Sequence, residues 1–279
     1  MGLHCGQTIR ARLKPSARVG VRFVRLDLPR APSVEAALAF VSATTHATTL
    51  QKGEANVQTV EHLLAALWAS GLTHVEVELD GPEVPILDGS SRGWLELLER
   101  AGQRKLSGER PVARLRSPVW FEGGSGAQMM GFPLQPDEEA VFRLSVAVDF
   151  GVAGAGAQLF DGQINASSFG RELALARTFT LESWLEPLRA AGLIRGGSLD
   201  NAVLIHGEGT PSSPFRFPNE LARHKALDVV GDLALALCST GALFSGHIVA
   251  IRAGHGTHRD WTTRALESGA LEIGAASAT

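Results

Sequence analysis

Arg223-His224-Lys225-Ala226-Leu227-Asp228-Val229-Val230-Gly231-Asp232 reads as one stretch of helix, and that reading governs how the rest of the chain is parsed. At 3.6 residues per turn, His224, Asp228 and Asp232 stand in a column on one face. Leu227, Val230, Leu233, Ala234 and Leu237 give an apolar face suited to packing against a sheet. One imidazole and two carboxylates held on a rigid helix can bind a metal. An ordinary i,i+4 ion pair produces the same pattern, so the helix alone leaves both readings open.

Outward from this helix, Pro218 precedes Asn219, a suitable N-cap. Residues 247–252 follow as a strand, and Gly254-His255-Gly256-Thr257-His258 leads into a last helix from Asp260 to Glu267. Residues 269–279 are small and polar and are expected to be a frayed tail. Upstream, residues 119–121 and 141–150 read as strands, and residues 151–157 as a Gly and Ala loop. Arg177-Thr178-Phe179-Thr180-Leu181 precedes a helical pattern through Trp184, Leu185 and Leu188 that Gly192 closes, and residues 202–205 resume a strand.

The first part of the chain repeats this rhythm. Residues 19–26 alternate apolar and basic side chains, which predicts a strand with one wet face in an antiparallel sheet. Thr59 can cap a helix in which Val60, Leu63, Leu64, Leu67 and Trp68 keep the helical period, with Glu61 and His62 in its first turn. Residues 73–79 alternate as the next strand, residues 81–90 are rich in turn formers, and Ser90 or Ser91 opens a helix that Gly102 ends. Gly108-Glu109-Arg110-Pro111 is the expected junction, dividing the chain into residues 1–108 and 109–279. Helix, strand, helix occurs in both parts. The fold class expected is therefore α+β, as two similar two-layer α/β sandwiches related by pseudo-symmetry, with an active site where the Glu61-His62 helix meets the His224-Asp228 helix.

Composition narrows the function. The chain has 279 residues, 44% of them hydrophobic, which is enough for a substantial core. A net charge of -3 and a pI near 6.3 argue against nucleic-acid binding, which needs clustered basic residues. Cys5 and Cys238, the only cysteines, form no framework or Cys-x-x-Cys motif and suit a reducing compartment. The start lacks a charged region followed by an apolar run, so no signal peptide is expected. No apolar run is long enough for a membrane span. A cytoplasmic protein without stable membrane insertion, acting as a monomer, is the expectation.

If the two helices meet, His62, His224 and Asp228 offer two nitrogens and one oxygen to one divalent metal. Three protein ligands with an open position is the make-up of a catalytic zinc site, while two histidines and a carboxylate also suit Fe(II). Glu61, next to His62, is the candidate general base. Asp232 lies a turn beyond Asp228, better placed to hold and charge a histidine that protonates a leaving group. His255 and His258 compete for that role, and spacing does not separate them. Lys225 can offset charge on a phosphate or an oxyanion.

The chain resembles the UDP-3-O-acyl-N-acetylglucosamine deacetylases, zinc amidases of the committed step in lipid A biosynthesis. The resemblance runs through Gly2-Leu3-His4, Thr59-Val60-Glu61-His62, the Pro82 to Ser90 stretch, Arg177-Thr178-Phe179, Gly196-Gly197-Ser198, the Arg223 to Asp232 stretch and Gly254-His255. It implies zinc on His62, His224 and Asp228, Glu61 as base, and His255 supported by Asp232 as acid, which decides against His258. It also implies that Thr178 donates to the oxyanion, that Lys225 sits near oxyanion and pyrophosphate, that Phe150 stacks on uracil, and that Arg252 lies near the nucleotide. An apolar insert over about residues 178–205, with Phe179, Leu181, Leu193 and Ile194, matches a passage for the acyl chain. The substrate implied is an acylated UDP-sugar that loses acetate. Two departures stand out. Thr180-Leu181 and then Trp184 replace the family's usual Gly-Phe and acid, which bears on the hexose contact, and the connection over residues 239–245 is longer. A non-catalytic nucleotide-sugar-binding relic and a zinc amidase for a related acylated sugar nucleotide are the alternative readings.

Overall fold

The computed structural model describes residues 1–134, 141–152 and 155–274. In the first part, β1 (Ala11–Pro15), β2 (Gly20–Arg25) and β3 (Ser33–Glu35) are followed by a small three-stranded sheet of β4 (Val41–Ala43), β5 (Thr49–Lys52) and β6 (Ala55–Val57). Next come α1 (Glu61–Ala69), β7 (His74–Leu79) and α2 (Arg92–Ala101). The main sheet here runs β1-β7-β2-β3. Its two outer pairs are antiparallel, but β2 and β7 are parallel. The antiparallel sheet expected around residues 19–26 is thus a mixed one, because the crossover through α1 returns the chain in the same direction.

The second part contains β8 (Val112–Leu115), β9 (Val119–Glu122), β10 (Gln128–Phe132), β11 (Phe142–Asp149), β12 (Ala157–Ile164) and a single turn, α3 (Ala166–Ser168). Then follow β13 (Phe179–Leu181), α4 (Glu182–Ala190), β14 (Val203–Ile205), α5 (Glu220–Leu237), β15 (Leu243–Ile251), α6 (His255–Glu267) and β16 (Leu271–Gly274). The large sheet runs β12-β11-β15-β10-β9, with β8 on β15 and β16 on β8. Within it, β11 and β15 are parallel across α5, β10 is antiparallel to β15, and β12 is antiparallel to β11. The order β10-β15-β11-β12 therefore repeats β1-β7-β2-β3 strand for strand, with α5 in the place of α1 and α6 in the place of α2. The two-unit α/β architecture read from the sequence is present, and its pseudo-symmetry is topological.

Several local expectations are corrected. Helix α6 begins at His255, five residues before Asp260, so both His255 and His258 are helical. Residues 271–274 are not tail but strand: Leu271 is buried and Glu272 pairs with Arg116 at 2.6 Å, an alternation hidden by the surrounding Gly and Ala. Residues 275–279 of that expected tail, and residues 153–154 of the expected loop, lie outside the described residues. Thr59 does not cap α1; it has a positive φ of 58°, and its hydroxyl donates to Glu83 at 2.8 Å. Asn219 precedes α5 without a side-chain cap, because its oxygen accepts from Arg223 and its amide donates to Leu159 O.

Two cores form, one on each main sheet, and they share the crossing of α1 and α5. Ala65 and Ala69 of α1 pack in the core of the second part, while Ala234 and Leu235 of α5 pack in that of the first. Because α5 is covered on all sides, its polar column is not a solvated face. Among the described residues, no helix is long and apolar enough to cross a membrane.

Candidate metal centre and active site

The site is assembled where α1 starts. Gly231 of α5 touches the backbone of Glu61 so closely that a Cβ there would stand 2.7 Å from the Glu61 carbonyl carbon. This approach sets Glu61 and His62 over the column of α5. His62 Nε2 and His224 Nε2 each lie 3.6 Å from Asp228 Oδ1, and the two rings meet edge to face at 5.0 Å. Nδ1 of His224 bonds to the Ala176 carbonyl at 3.1 Å, which leaves Nε2 turned toward Asp228. Burial holds the His224 pKa down to about 3, so its lone pair is available at neutral pH. Burial pushes the Asp228 carboxyl up, but the charge of Lys225 beside it outweighs this and keeps the group ionised. Lys225 Nζ bonds Asp228 Oδ2 at 2.9 Å.

The other oxygen, Asp228 Oδ1, is buried without a hydrogen-bond partner among the described residues. Leaving a carboxylate oxygen in that state is costly. A divalent cation held by the two Nε2 atoms and this oxygen would satisfy it, and the three ligand atoms lie within 4.8 Å of one another. The donor set fits a metal. His62 differs from His224 in one respect: its Nδ1 has no partner among the described residues.

One turn along α5, Asp232 gathers three donors. Its Oδ2 accepts from Nδ1 of His255 at 2.8 Å and of His258 at 2.7 Å, and its Oδ1 accepts from the Thr48 hydroxyl at 2.5 Å. These are direct hydrogen bonds with no room for an ion, which separates this cluster from the first although its atoms are as close together. Burial opposes charge on His255, but Asp232 beside it raises the pKa to about 9; His258 is pushed down by burial. His255 Nε2 comes within 3.9 Å of Asp228 Oδ2, whereas His258 Nε2 is buried without a partner among the described residues. Glu61 is buried, accepts the Thr48 backbone N–H at 3.1 Å, and has its pKa raised by burial, as suits a base working near neutrality.

Sequence comparison supplies the family. The UDP-3-O-acyl N-acetylglycosamine deacetylase family profile matches residues 1–267, a span that contains both clusters. The chain belongs to this family. Curated relatives named UDP-3-O-acyl-N-acetylglucosamine deacetylase include one from Nostoc sp., 38% identical over 272 residues, covering 95% of this chain and 94% of the relative. Another, from Thermosynechococcus vestitus, is 40% identical and covers 92% and 87%. A third, from Bdellovibrio bacteriovorus, is 37% identical and covers 91% and 82%.

In this deacetylase-family chain a cavity of about 560 Å³ opens onto Glu61, His62, His224, Asp228, Lys225 and His255. Thr178 lies on its wall, fixed by its N–H to Gly89 O at 2.7 Å and by Val203 N–H to its own carbonyl at 2.9 Å. Phe150, Phe179, Trp184 and His46 form an aromatic side, and Leu3, Ile86, Leu188, Ile194 and Leu204 an aliphatic arm. Arg252 stands on the wall, largely exposed, with a positive φ of 50°. His258 and Asp232 do not reach the cavity. Leu181 does not line it either: it turns under α4 into the core with Val203 and Ile205, and Thr180 takes the wall position. Leu193 is likewise absent from the wall, while its neighbour Ile194 is present. Thr48 and His46 carry no sequence signal, since they lie in an Ala- and Thr-rich stretch without a period, while Leu3 and Ile86 of the aliphatic wall fall within motifs of the resemblance.

Proposed function

We propose that the chain removes the N-acetyl group from UDP-3-O-acyl-N-acetylglucosamine by hydrolysis, releasing acetate, as the committed step of lipid A biosynthesis. His62, His224 and Asp228 would hold the metal, zinc by preference for this donor set, with Fe(II) the alternative. When bound, such an ion supplies Lewis-acid chemistry, polarising an amide carbonyl and acidifying water.

The protein residues do the rest. Glu61 takes the proton of the attacking water. The Thr178 hydroxyl donates to the carbonyl oxygen as it gains negative charge, and Lys225 adds positive charge nearby. His255, kept protonated by Asp232, delivers a proton from Nε2 to the departing glucosamine nitrogen, so the amine leaves neutral. Phe150 and Phe179 offer faces for the uracil and the sugar, Arg252 and Lys225 suit the diphosphate, and the aliphatic arm suits the acyl chain. Leu181, in the core, has no part in this binding. The cavity is complete within one chain, which fits a monomer, and two free thiols fit the reducing cytoplasm.

The observation that carries this reading is Asp228 Oδ1, without a hydrogen-bond partner among the described residues and 3.6 Å from two imidazole nitrogens, beside a cavity that Glu61 and His255 also line. The test is acetate release from the acylated UDP-sugar by zinc-loaded protein. No release by the wild type, or full release by Glu61→Ala, overturns it; tight binding without turnover would point to the non-catalytic relic.

A further inference from the structure

Thr48 touches both halves of the proton chemistry just described. It is buried, directly before β5, and its two backbone groups clamp the start of α1: the N–H donates to Glu61 Oε2 at 3.1 Å and the carbonyl accepts from Val60 N–H at 3.4 Å. Its hydroxyl donates to Asp232 Oδ1 at 2.5 Å. Among the described residues, no other side chain or backbone group bonds both carboxylates.

The hydroxyl bond matters because of how Asp232 is loaded. Oδ2 already accepts from two imidazoles, and among the described residues Oδ1 has only Thr48. Without that hydroxyl, Oδ1 would be a buried, unpaired carboxylate oxygen, and rotation of the carboxylate would relieve it. That rotation would carry Oδ2, and so redirect the His255 ring it holds. The bond to Glu61, by contrast, comes from a backbone N–H, which cannot pass a proton on. Thr48 is therefore not a relay.

We propose that Thr48 is a positioning residue that keeps Glu61 and His255 in register on opposite sides of the reacting amide, through its N–H to the one and its hydroxyl to Asp232 behind the other. The inference rests on the deacetylase reading given above. His258 has the lesser share, as the second donor that fixes Asp232 Oδ2.

The test compares Thr48→Val, which keeps the branched shape and the backbone N–H but loses the hydroxyl, with Thr48→Ser, which keeps the hydroxyl. Thr48→Val should lower kcat about 10- to 100-fold, the range for a group that orients an active-site residue, with KM within about two-fold of wild type. Metal stoichiometry should stay unchanged, and Thr48→Ser should restore most of the rate. In an Asp232→Ala background, Thr48→Val should cost nothing further, since the hydroxyl acts through Asp232. A Thr48→Val enzyme within about two-fold of wild-type kcat overturns the proposal, as does equal damage from valine and serine, or full additivity with Asp232→Ala. Should the wild type release no acetate, the functional reading fails, and Thr48 is judged from the ring N–H resonances of His255 and His258 in wild type and Thr48→Val. Identical resonances then overturn its role, and displaced ones support it.

Discussion

Gly231 of α5 and Glu61 of α1 are in backbone contact, and the active site exists because nothing larger than hydrogen stands between them. The contact falls between Asp228 and Asp232, so it fixes α1 against both acids at once. Gly231→Ala should push the helices apart and separate His62 from His224 and Asp228. A cost of about 2 kcal/mol is expected for a methyl forced against backbone. Thermal denaturation should show the loss of stability, and elemental analysis should show less than one metal per chain. An alanine variant with full metal content and wild-type melting would mean that the crossing tolerates displacement.

The two acids of α5 should separate in function. Asp228 would offer to a metal the oxygen that has no partner among the described residues, whereas both oxygens of Asp232 are already engaged by Thr48, His255 and His258. Asp228→Ala should lose metal and activity together. Asp232→Ala should keep its metal and lose about two to four orders of magnitude in kcat, the usual span for proton-transfer catalysis. Equal loss of metal from both variants would erase the distinction.

Much of this was legible in the residues. The column His224, Asp228, Asp232 follows from helical period alone, and the helix-strand-helix rhythm is present in the sequence of both parts. Periodicity could not reveal that β2 and β7 run parallel, since strand direction depends on the crossover and not on which face a residue takes. The resemblance places Leu181 in the acyl passage, but its side chain is buried in the core with Val203 and Ile205, a facing that an apolar run does not specify. Thr48 was invisible for a different reason: its role comes from a loop brought against α1 and α5, 184 residues from Asp232 in sequence.

Arg177 and Glu220 hold the start of α5 to the segment that carries Thr178 into β13. Glu220 is fully buried and accepts the Arg177 N–H and guanidinium at 2.9 to 3.0 Å, along with the Arg216 N–H at 2.6 Å. Burial alone would raise the carboxyl, but the bonds from Arg177 and Arg216 outweigh it, and its pKa lies below the usual 4.5. The pair thus stabilises the fold above that value, and its contribution is lost as pH falls through the depressed folded pKa. Arg177→Ala leaves a buried carboxylate without its cation and should cost about 3–5 kcal/mol at neutral pH. Because the stranded carboxyl can then take up a proton, the gap between wild type and variant should narrow below pH 4.5. Denaturant titrations at neutral and acid pH measure both; a gap that widens in acid would contradict the assignment.

Trp184 occupies the place where the sequence departs from its family, and it closes the aromatic side of the cavity. Its ring meets Phe150 at 5.9 Å, Phe150 meets Phe179 at 5.0 Å, and Phe179 meets His224 of the candidate metal centre at 5.9 Å, so a continuous run of rings leads outward from that centre. From the opposite part of the chain, His46 approaches Trp184 at 6.4 Å. An indole at this point can take the apolar face of a sugar ring, a contact by stacking where an acid would make one by hydrogen bonding. Trp184→Ala should therefore raise KM by about tenfold, equivalent to about 1.4 kcal/mol of lost binding, with kcat changed far less. Trp184→Phe should fall between the two. Binding of UDP-N-acetylglucosamine should quench tryptophan emission in the wild type and lose most of that signal in Trp184→Phe. An unchanged KM in the alanine variant would show that the sugar is seated elsewhere, on Phe179 or Lys225.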